Sequence, residues 1–244
     1  MGKFDYDSVP GNYQYKAMTK GPGFQRFWHI YKINLAKKVL NIDKKDVIID
    51  IGCGSGNLLI ELSKSCSGAY GADLNQKAID FIKLRANKEK IKNIYLKKVS
   101  GPKLPFKNSS FDKVIAMELI EHLENPNLII KECIRILKPG GLLFITTPNY
   151  RSFWPILETI SDLFNLTPKM KGEQHISKFN KKTLINCLMK NNLHPVKTGS
   201  FYLASPFFAV FSSKLAHSAY KLEISKFMNK IKIPGMLLYS VSKK

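Results

Sequence analysis

Apolar runs and amphipathic segments alternate along the chain. Each short apolar run is typical of a buried strand, and each segment between them has the apolar spacing of a helix that packs on a sheet. This alternation predicts an α/β fold with a doubly wound, mainly parallel sheet and helices on both faces. The predicted strands are 46–51, 69–73, 93–99, 111–117 and 141–147, and the predicted helices are 24–40, 57–65, 76–90 and 127–137.

The two ends of the chain follow other patterns. Residues 1–23 are polar and contain several glycines and prolines, which predicts an irregular arm. The helix that follows the arm is expected to turn its lysines outward. After Pro148 helices and strands mix, and the last two strands are expected to pair antiparallel at the sheet edge. The predicted elements there are helices 153–164, 181–190 and 207–230 and strands 195–202 and 236–241.

Composition excludes disordered and membrane-spanning proteins. With 44% hydrophobic and 23% charged residues, the chain can bury a core. Its longest nearly uncharged stretch, 198–213, is too short to span a bilayer. Four scattered cysteines without a C-x-x-C pair fit neither a zinc site nor a disulfide framework. Together with the lack of an apolar leader, these features predict a cytoplasmic protein.

The charge is strongly positive. The net charge is +21, and residues 151–244 contain 15 basic but only 4 acidic side chains. Such a surface attracts nucleic acid or anionic lipid. Lysines alternate with large apolar residues over 213–232, which is typical of a surface that lies peripherally on an anionic membrane. A lysine-rich genome, or helices that simply cover the sheet, explains the same pattern more plainly.

The first predicted strand leads into a glycine-rich loop. Asp50 precedes glycines at 52, 54 and 56, which open a helix and let the backbone approach a ligand closely. Asp73 ends the next strand, where a carboxylate can accept hydrogen bonds from ribose hydroxyls. Because Asp50 would repel a pyrophosphate and the spacing is G-x-G-x-G, a nicotinamide enzyme is disfavoured.

Several motifs, in the right order, resemble the class I S-adenosylmethionine-dependent methyltransferases. They are VIIDIGCGSG at 47–56, GADL at 71–74, LPF at 104–106, SFDKVI at 110–115 and LKPGGLL at 137–143. The resemblance implies a Rossmann-like fold and S-adenosylmethionine as the cofactor. It places the glycines near the methionine and ribose, Asp50 near the ammonium, Asp73 on the ribose hydroxyls and Leu74 on the adenine. The cofactor residues that it implies are Asp50, Gly52, Gly54, Gly56, Asp73, Leu74, Ser100 and Met117.

One position departs from the family pattern. Many relatives have an acidic residue where this chain has Ser100, and that residue contacts the adenine amino group. This difference does not change the identity of the expected cofactor, but the affinity for the cofactor does not follow from the sequence. In family terms, residues 1–40 form a lid or a packing helix, 41–150 bind the cofactor, and 151–244 cover the substrate within the same domain.

The motif Glu118-x-x-Glu121-His122 follows the fourth predicted strand, at the edge where α/β sheets bind ligands. Its side chains could supply a general base, and His122 and Glu118 are the catalytic candidates. The motif is similar to the Glu-x-x-Glu-His of the ubiquinone- and menaquinone-pathway O-methyltransferases, where it binds a divalent metal. Since the wider family carries the pair as a helix cap without metal, no metal ligand is assigned here.

Three later residues are candidates for substrate contact. Asn149 and Tyr150 end the fifth strand, and His175 precedes a helix in a region that covers the substrate in relatives. An ordinary strand-to-helix turn and a loop histidine are the structural alternatives.

The acceptor is expected to be a small, hydrophobic or lipid-linked molecule, and O-methylation fits best. An Asp/Asn-Pro-Pro-aromatic motif after the fourth strand is typical of base amino-methyltransferases, and this chain has Met-Glu-Leu-Ile there. The absence of this motif disfavours nucleic acid as the acceptor, although the positive charge of the chain keeps RNA open as an alternative. The alternatives are an RNA or protein methyltransferase and a non-catalytic relative that binds the cofactor. The oligomeric state does not follow from the sequence.

Overall fold

A single seven-stranded sheet organises the chain. The computed structural model describes residues 8–163, 175–223 and 233–244. The strands are β1 (Val47–Ile51), β2 (Gly68–Asp73), β3 (Ile94–Lys98), β4 (Phe111–Met117), β5 (Leu137–Pro148), β6 (His194–Phe201) and β7 (Leu237–Lys243). They lie in the order β3-β2-β1-β4-β5-β7-β6. Strands β1 to β5 are parallel, which confirms the predicted α/β fold.

Helices cover both faces of this sheet. They are α1 (Tyr13–Lys20), α2 (Gly23–Leu40), α3 (Asn57–Ser63), α4 (Gln76–Lys88), α5 (Pro126–Ile136), α6 (Trp154–Leu163), α7 (Lys181–Lys190), α8 (Ser205–Phe208) and α9 (Ser213–Glu223). Successive strand residues point to opposite faces. Ile48 therefore packs with α2, α3 and α4, whereas Ile49 packs with α5 and α7. Both isoleucines are fully buried, as the continuous apolar run of a central parallel strand predicts.

The last two strands pair antiparallel at one edge of the sheet, as predicted. β7 pairs antiparallel with β5 on one side and with β6 on the other. The antiparallel strand is therefore second from the edge, and β6 is outermost. A third apolar cluster, rich in aromatic residues, lies between α2, α8, α9 and this end of the sheet.

Several predicted boundaries are wrong, and β5 begins at Leu137, four residues before the predicted start at 141. Residues 1–23 contain a helix, α1, because Tyr13–Lys20 has no glycine or proline even though both flank it. The predicted helix 207–230 breaks into α8 and α9 at residues 209–212, and residues 224–230 lie outside the described part of the chain. The lysines of α2 do not all face outward either, since Lys32 is buried.

Candidate active site

The carboxyl ends of the parallel strands meet at one edge of the sheet. Asp50 lies beside Gly71 and Ile115 in the strand register, and Asp73 ends β2 next to it. Met117 ends β4 at the same edge, opposite Thr146 of β5. Asp50, Asp73 and Met117 thus converge because the topology places the ends of β1, β2 and β4 together.

The glycine loop has a backbone that favours glycine. Gly52, Gly54 and Gly56 have φ angles of 72°, 50° and 70°, in the left-handed region. A Cβ atom at Gly56 would lie 2.6 Å from Ile82, and one at Gly54 would lie 2.2 Å from the side-chain oxygen of Gln14. The loop therefore leaves a cradle above Gly54, and in this structure Gln14 lies in it.

Two acidic side chains face the loop. The Asp73 carboxylate accepts hydrogen bonds from the backbone N–H of Gly54 (2.7 Å) and of Asn75 (2.9 Å). Asp50 is buried, and burial, with the nearby Asp73 charge adding to it, raises the pKa of Asp50 to about 8, although Lys32 opposes the shift. Burial also raises the pKa of Asp73. Both carboxyls gain from a cation or hydroxyl donors placed against them.

Helices α1 and α2 close this region, and sequence reasoning missed the buried lysine that α2 brings to it. A small cavity of about 40 Å³ remains, close to the volume of one water molecule. Its walls are formed by Gln14, His29, Lys32, Ile33, Asp50, Gly52, Cys53, Asn57, Leu58 and Met117. The missed signal is a lysine among the apolar positions of α2. Burial, followed by the charge of Lys32, lowers the pKa of His29 to about 3.

Glu118 pairs with Lys32, which lines this cavity. Its backbone has a φ of 50°, and its carboxylate accepts hydrogen bonds from Trp28 Nε1 (3.1 Å) and from Lys32 Nζ. Burial favours the neutral acid, yet Lys32 outweighs it and lowers the pKa of Glu118. The structure therefore holds Glu118 as a carboxylate paired with a buried lysine.

A second group of side chains lies one turn further along. Glu121, His122 and His175 each offer a ligand atom within 4.8 Å of the others. Among the described residues the cluster joins Glu121 and His122 of the motif with His175, whereas Glu118 of the same motif pairs with Lys32. Glu121 is fully buried, and burial together with Glu118 raises the pKa of Glu121 to about 8.

His175 is held by two residues that precede it in the chain, Tyr150 and Glu158. Its Nδ1 contacts a carboxylate oxygen of Glu158 and lies 3.0 Å from the Tyr150 hydroxyl, which donates to Glu158 at 2.9 Å. The His122 and His175 rings are 5.1 Å apart. Sequence reasoning missed Glu158, because it lies in an amphipathic helix where a single acid carries no signal.

Unsatisfied polar atoms surround His175. Both carboxyl oxygens of Glu121 and the indole N–H of Trp154 are buried without a hydrogen-bond partner within the described segments. The rings of Trp154 and His175 are 6.0 Å apart. Buried polar groups without partners are rare in native proteins. Their presence around one histidine suits a pocket that receives a polar group from a ligand.

The remaining candidates lie apart from these clusters. The Asn149 side chain serves the backbone, since it donates to the Gly235 carbonyl at 2.8 Å and accepts from Arg151 N–H at 3.1 Å. Leu74 is partly exposed beside Asp73, and Ser100 is exposed in the loop after β3. Their roles toward the adenine, and that of Asn149 toward a substrate, stay predictions.

The sequence of this chain is similar to those of known proteins. A family profile described as a methyltransferase domain matches residues 49–145. The chain is 32% identical over 164 residues to a ubiquinone biosynthesis O-methyltransferase of Pelagibacter ubique, covering 67% of this chain and 66% of that protein. It is 37% identical over 125 residues to a protein of the same name from Coxiella burnetii, covering 50% and 53%.

A solved structure extends the likeness over nearly the whole chain. A methyltransferase of Thermotoga maritima, described as dependent on S-adenosylmethionine, superposes with a TM-score of 0.67 over 95% of both chains at 18% identity. At that identity the superposition shows the fold. The alignments with the curated relatives span about half to two thirds of their length.

Proposed function

This chain belongs to the class I S-adenosylmethionine-dependent methyltransferases, and we propose that it methylates a hydroxyl oxygen of a small, hydrophobic or lipid-linked acceptor. The observation that carries the proposal is the cluster of Glu121, His122 and His175, which has unsatisfied buried polar atoms and follows β4 at the carboxyl edge of the sheet. The O-methyltransferase names of the sequence relatives support the same reaction class.

The residues of the first cavity fit the cofactor chemically. Asp50 is a buried carboxyl that a cofactor ammonium would stabilise in its ionised form, and Asp73 offers oxygens to ribose hydroxyls. The cradle above Gly54 is filled by Gln14, so the proposal requires α1 to move when the cofactor binds.

The acceptor side needs a group that removes a proton. S-adenosylmethionine supplies a methyl group that is already activated by its sulfonium. The acceptor hydroxyl must lose its proton as its oxygen gains the methyl group, and proximity accounts for most of the remaining acceleration. We assign the base to His175: Glu158 holds Nδ1, so Nε2 is left to accept the proton. His122 lies beside it as a second candidate.

A divalent metal is the competing use of the same cluster. Glu121, His122 and His175 offer one carboxylate and two imidazoles, a donor set that suits a first-row transition metal better than magnesium. A metal-bound His175 could not act as the base. Activity that survives EDTA treatment supports the base; loss with EDTA and return with manganese or zinc would overturn it in favour of a metal.

Two pairs of variants test the proposal. Titration calorimetry with S-adenosylmethionine should show at least about tenfold weaker binding for Asp73→Ala and unchanged binding for Asp80→Ala, an exposed control. His175→Asn should keep cofactor affinity but lose turnover of catechol-type quinone precursors, measured as S-adenosylhomocysteine formation. His194→Asn, at an exposed position, should keep both. Unaltered binding by Asp73→Ala would refute the cofactor site, and unaltered turnover by His175→Asn would refute the base.

A further inference from the structure

We propose that residues 205–223, named here the α8–α9 wedge, dock onto the surface of an anionic lipid bilayer. The wedge carries large apolar side chains that are each at least 41% exposed, and Phe211 at its tip is 83% exposed. The others are Phe207, Phe208, Val210, Leu215 and Leu222. Phe and Leu are typical of the apolar face of a segment that lies in the membrane interface. So many in one short segment need a partner to cover them.

The exposed side chains are not the result of loose packing. The opposite side of the wedge is buried, with Ala216 and Tyr220 in the aromatic cluster against Phe27 and Tyr202. The Tyr202 hydroxyl donates to the backbone carbonyl of Trp28 at 2.6 Å. The wedge therefore holds its apolar tip outward on a fixed base.

One carboxylate fixes the two helices to each other. Glu223 of α9 accepts hydrogen bonds from the backbone N–H groups of Leu203 (3.2 Å), Ala204 (2.7 Å) and Ser205 (2.6 Å), and from the Ser205 hydroxyl (2.7 Å). It thereby caps the start of α8. The single acidic side chain of the wedge is thus engaged with its own backbone.

The charges on the wedge select its partner. Lys214 and Lys221 are exposed and lie two turns apart on α9, next to the apolar stripe of Leu215 and Leu222. Each lysine near an anionic membrane surface is attracted to it and strengthens binding. A second copy of this chain, with a net charge of +21, would repel the wedge instead of covering it.

The proposed docking places the wedge on the membrane surface and not across the membrane. Among the described residues, no helix combines the length and apolar content needed to cross a membrane. Lysines beside apolar side chains on short helices are typical of segments that lie in the interface. The wedge packs on α2, where the Phe24 and Phe207 rings are 5.8 Å apart, and α2 also lines the cofactor cavity. Docking would bring the proposed active site to the lipid surface.

Vesicle co-sedimentation tests the proposal on the full chain without cofactor. Phosphatidylcholine vesicles containing phosphatidylglycerol should retain the protein, and pure phosphatidylcholine should retain much less. The double variant Phe207→Ser/Phe211→Ser should bind at least about tenfold more weakly. Leu84→Ser/Leu128→Ser changes two exposed apolar residues on α4 and α5 and should bind as the parent does.

A charge pair separates the wedge from the general charge of the surface. Lys214→Glu/Lys221→Glu and Lys83→Glu/Lys88→Glu change the net charge equally, but the second pair lies on α4. Only the first should lose anionic vesicle binding. Equal losses would overturn the wedge in favour of diffuse charge, and a parent chain that ignores both vesicles would overturn the proposal altogether.

Light scattering after size exclusion supplies the last outcome. The parent should be the same size as Phe207→Ser/Phe211→Ser, with circular dichroism confirming that both are folded. If the parent is larger than the variant, because the two substitutions dissociate an oligomer, the wedge would be assigned to self-association instead. Because these readouts need neither cofactor nor turnover, they stand or fall independently of the proposed methyl transfer.

Discussion

At the residue scale, Asp50 shows how burial sets a charge. In the unfolded chain its carboxyl ionises near its ordinary pKa of 3.8, whereas in the native state the pKa is about 8. Between these values the native state holds a proton that the unfolded state has released. Raising the pH through this window therefore favours unfolding.

We expect Asp50→Asn to remove this pH dependence. Without cofactor, the stability of the parent should fall by at least about 1 kcal/mol from pH 5 to pH 8, and that of the variant should fall less. Urea unfolding at several pH values measures both, with Asp80→Asn as the exposed control. A difference between variant and parent that does not grow with pH would contradict the raised pKa.

The sequence revealed those site residues whose signal is local. Asp50, the three glycines and Asp73 stand in one strand–loop–helix–strand unit, so spacing alone placed them together. Lys32 and Glu158 reach the clusters from helices distant in sequence, and an isolated charge on an amphipathic helix predicts only a solvated face. Tertiary packing, which no spacing encodes, turned them inward.

At the element scale, α1 and the residues before it contact the glycine loop. The Gln14 side-chain oxygen accepts a hydrogen bond from Ser55 N–H at 3.3 Å, and the Ser55 hydroxyl donates to the Gly11 carbonyl at 2.8 Å. These contacts compete with any ligand that needs the same backbone. The helix was missed in the sequence because it is short and bounded by glycines, although the segment lies over the loop as a lid would.

Gln14→Ala should tighten binding of S-adenosylmethionine. Removal of one competing hydrogen bond, about 1 kcal/mol, is expected to lower the Kd up to about fivefold. Calorimetry measures the change, and Gln25→Ala on α2, which does not line the cavity, is the control. Weaker binding by Gln14→Ala would show that this side chain serves the cofactor directly.

The α8–α9 wedge depends on its cap. Glu223→Ala leaves three backbone N–H groups and one hydroxyl without their acceptor, so it should lower the free energy of unfolding by about 1–3 kcal/mol. Glu223→Gln should lose less, since it keeps one oxygen. Thermal unfolding measures the series, with exposed Glu124→Ala as the control. An unchanged melting temperature for Glu223→Ala would contradict a stabilising role for the Glu223 cap.

Strands and the core helices were predicted closely because their periodicity is strong. β4 and α7 match their predicted ranges fully. The segment 207–230 was predicted as one helix, since its apolar spacing continues through the break. The break follows from Ala209 turning into the aromatic cluster, a tertiary contact that the pattern does not contain.

At the scale of the whole molecule, charge acts on every part. A chain with 39 basic and 18 acidic side chains repels itself when folded, because folding brings like charges closer. Salt that screens this repulsion should therefore raise the melting temperature between low and physiological ionic strength. Differential scanning fluorimetry in sodium chloride and in tetramethylammonium chloride should give the same rise. A fall in the melting temperature would mean that attractive ion pairs dominate.

The filled cradle above Gly54 has a consequence for time as well as for affinity. A ligand cannot reach the glycine loop while Gln14 occupies it, so the rate of association is bounded by how often α1 opens. In stopped-flow mixing, the observed rate should level off as S-adenosylmethionine increases, and Gln14→Ala should raise the plateau. The rate of S-adenosylmethionine binding would then be limited by the opening of α1 rather than by diffusion.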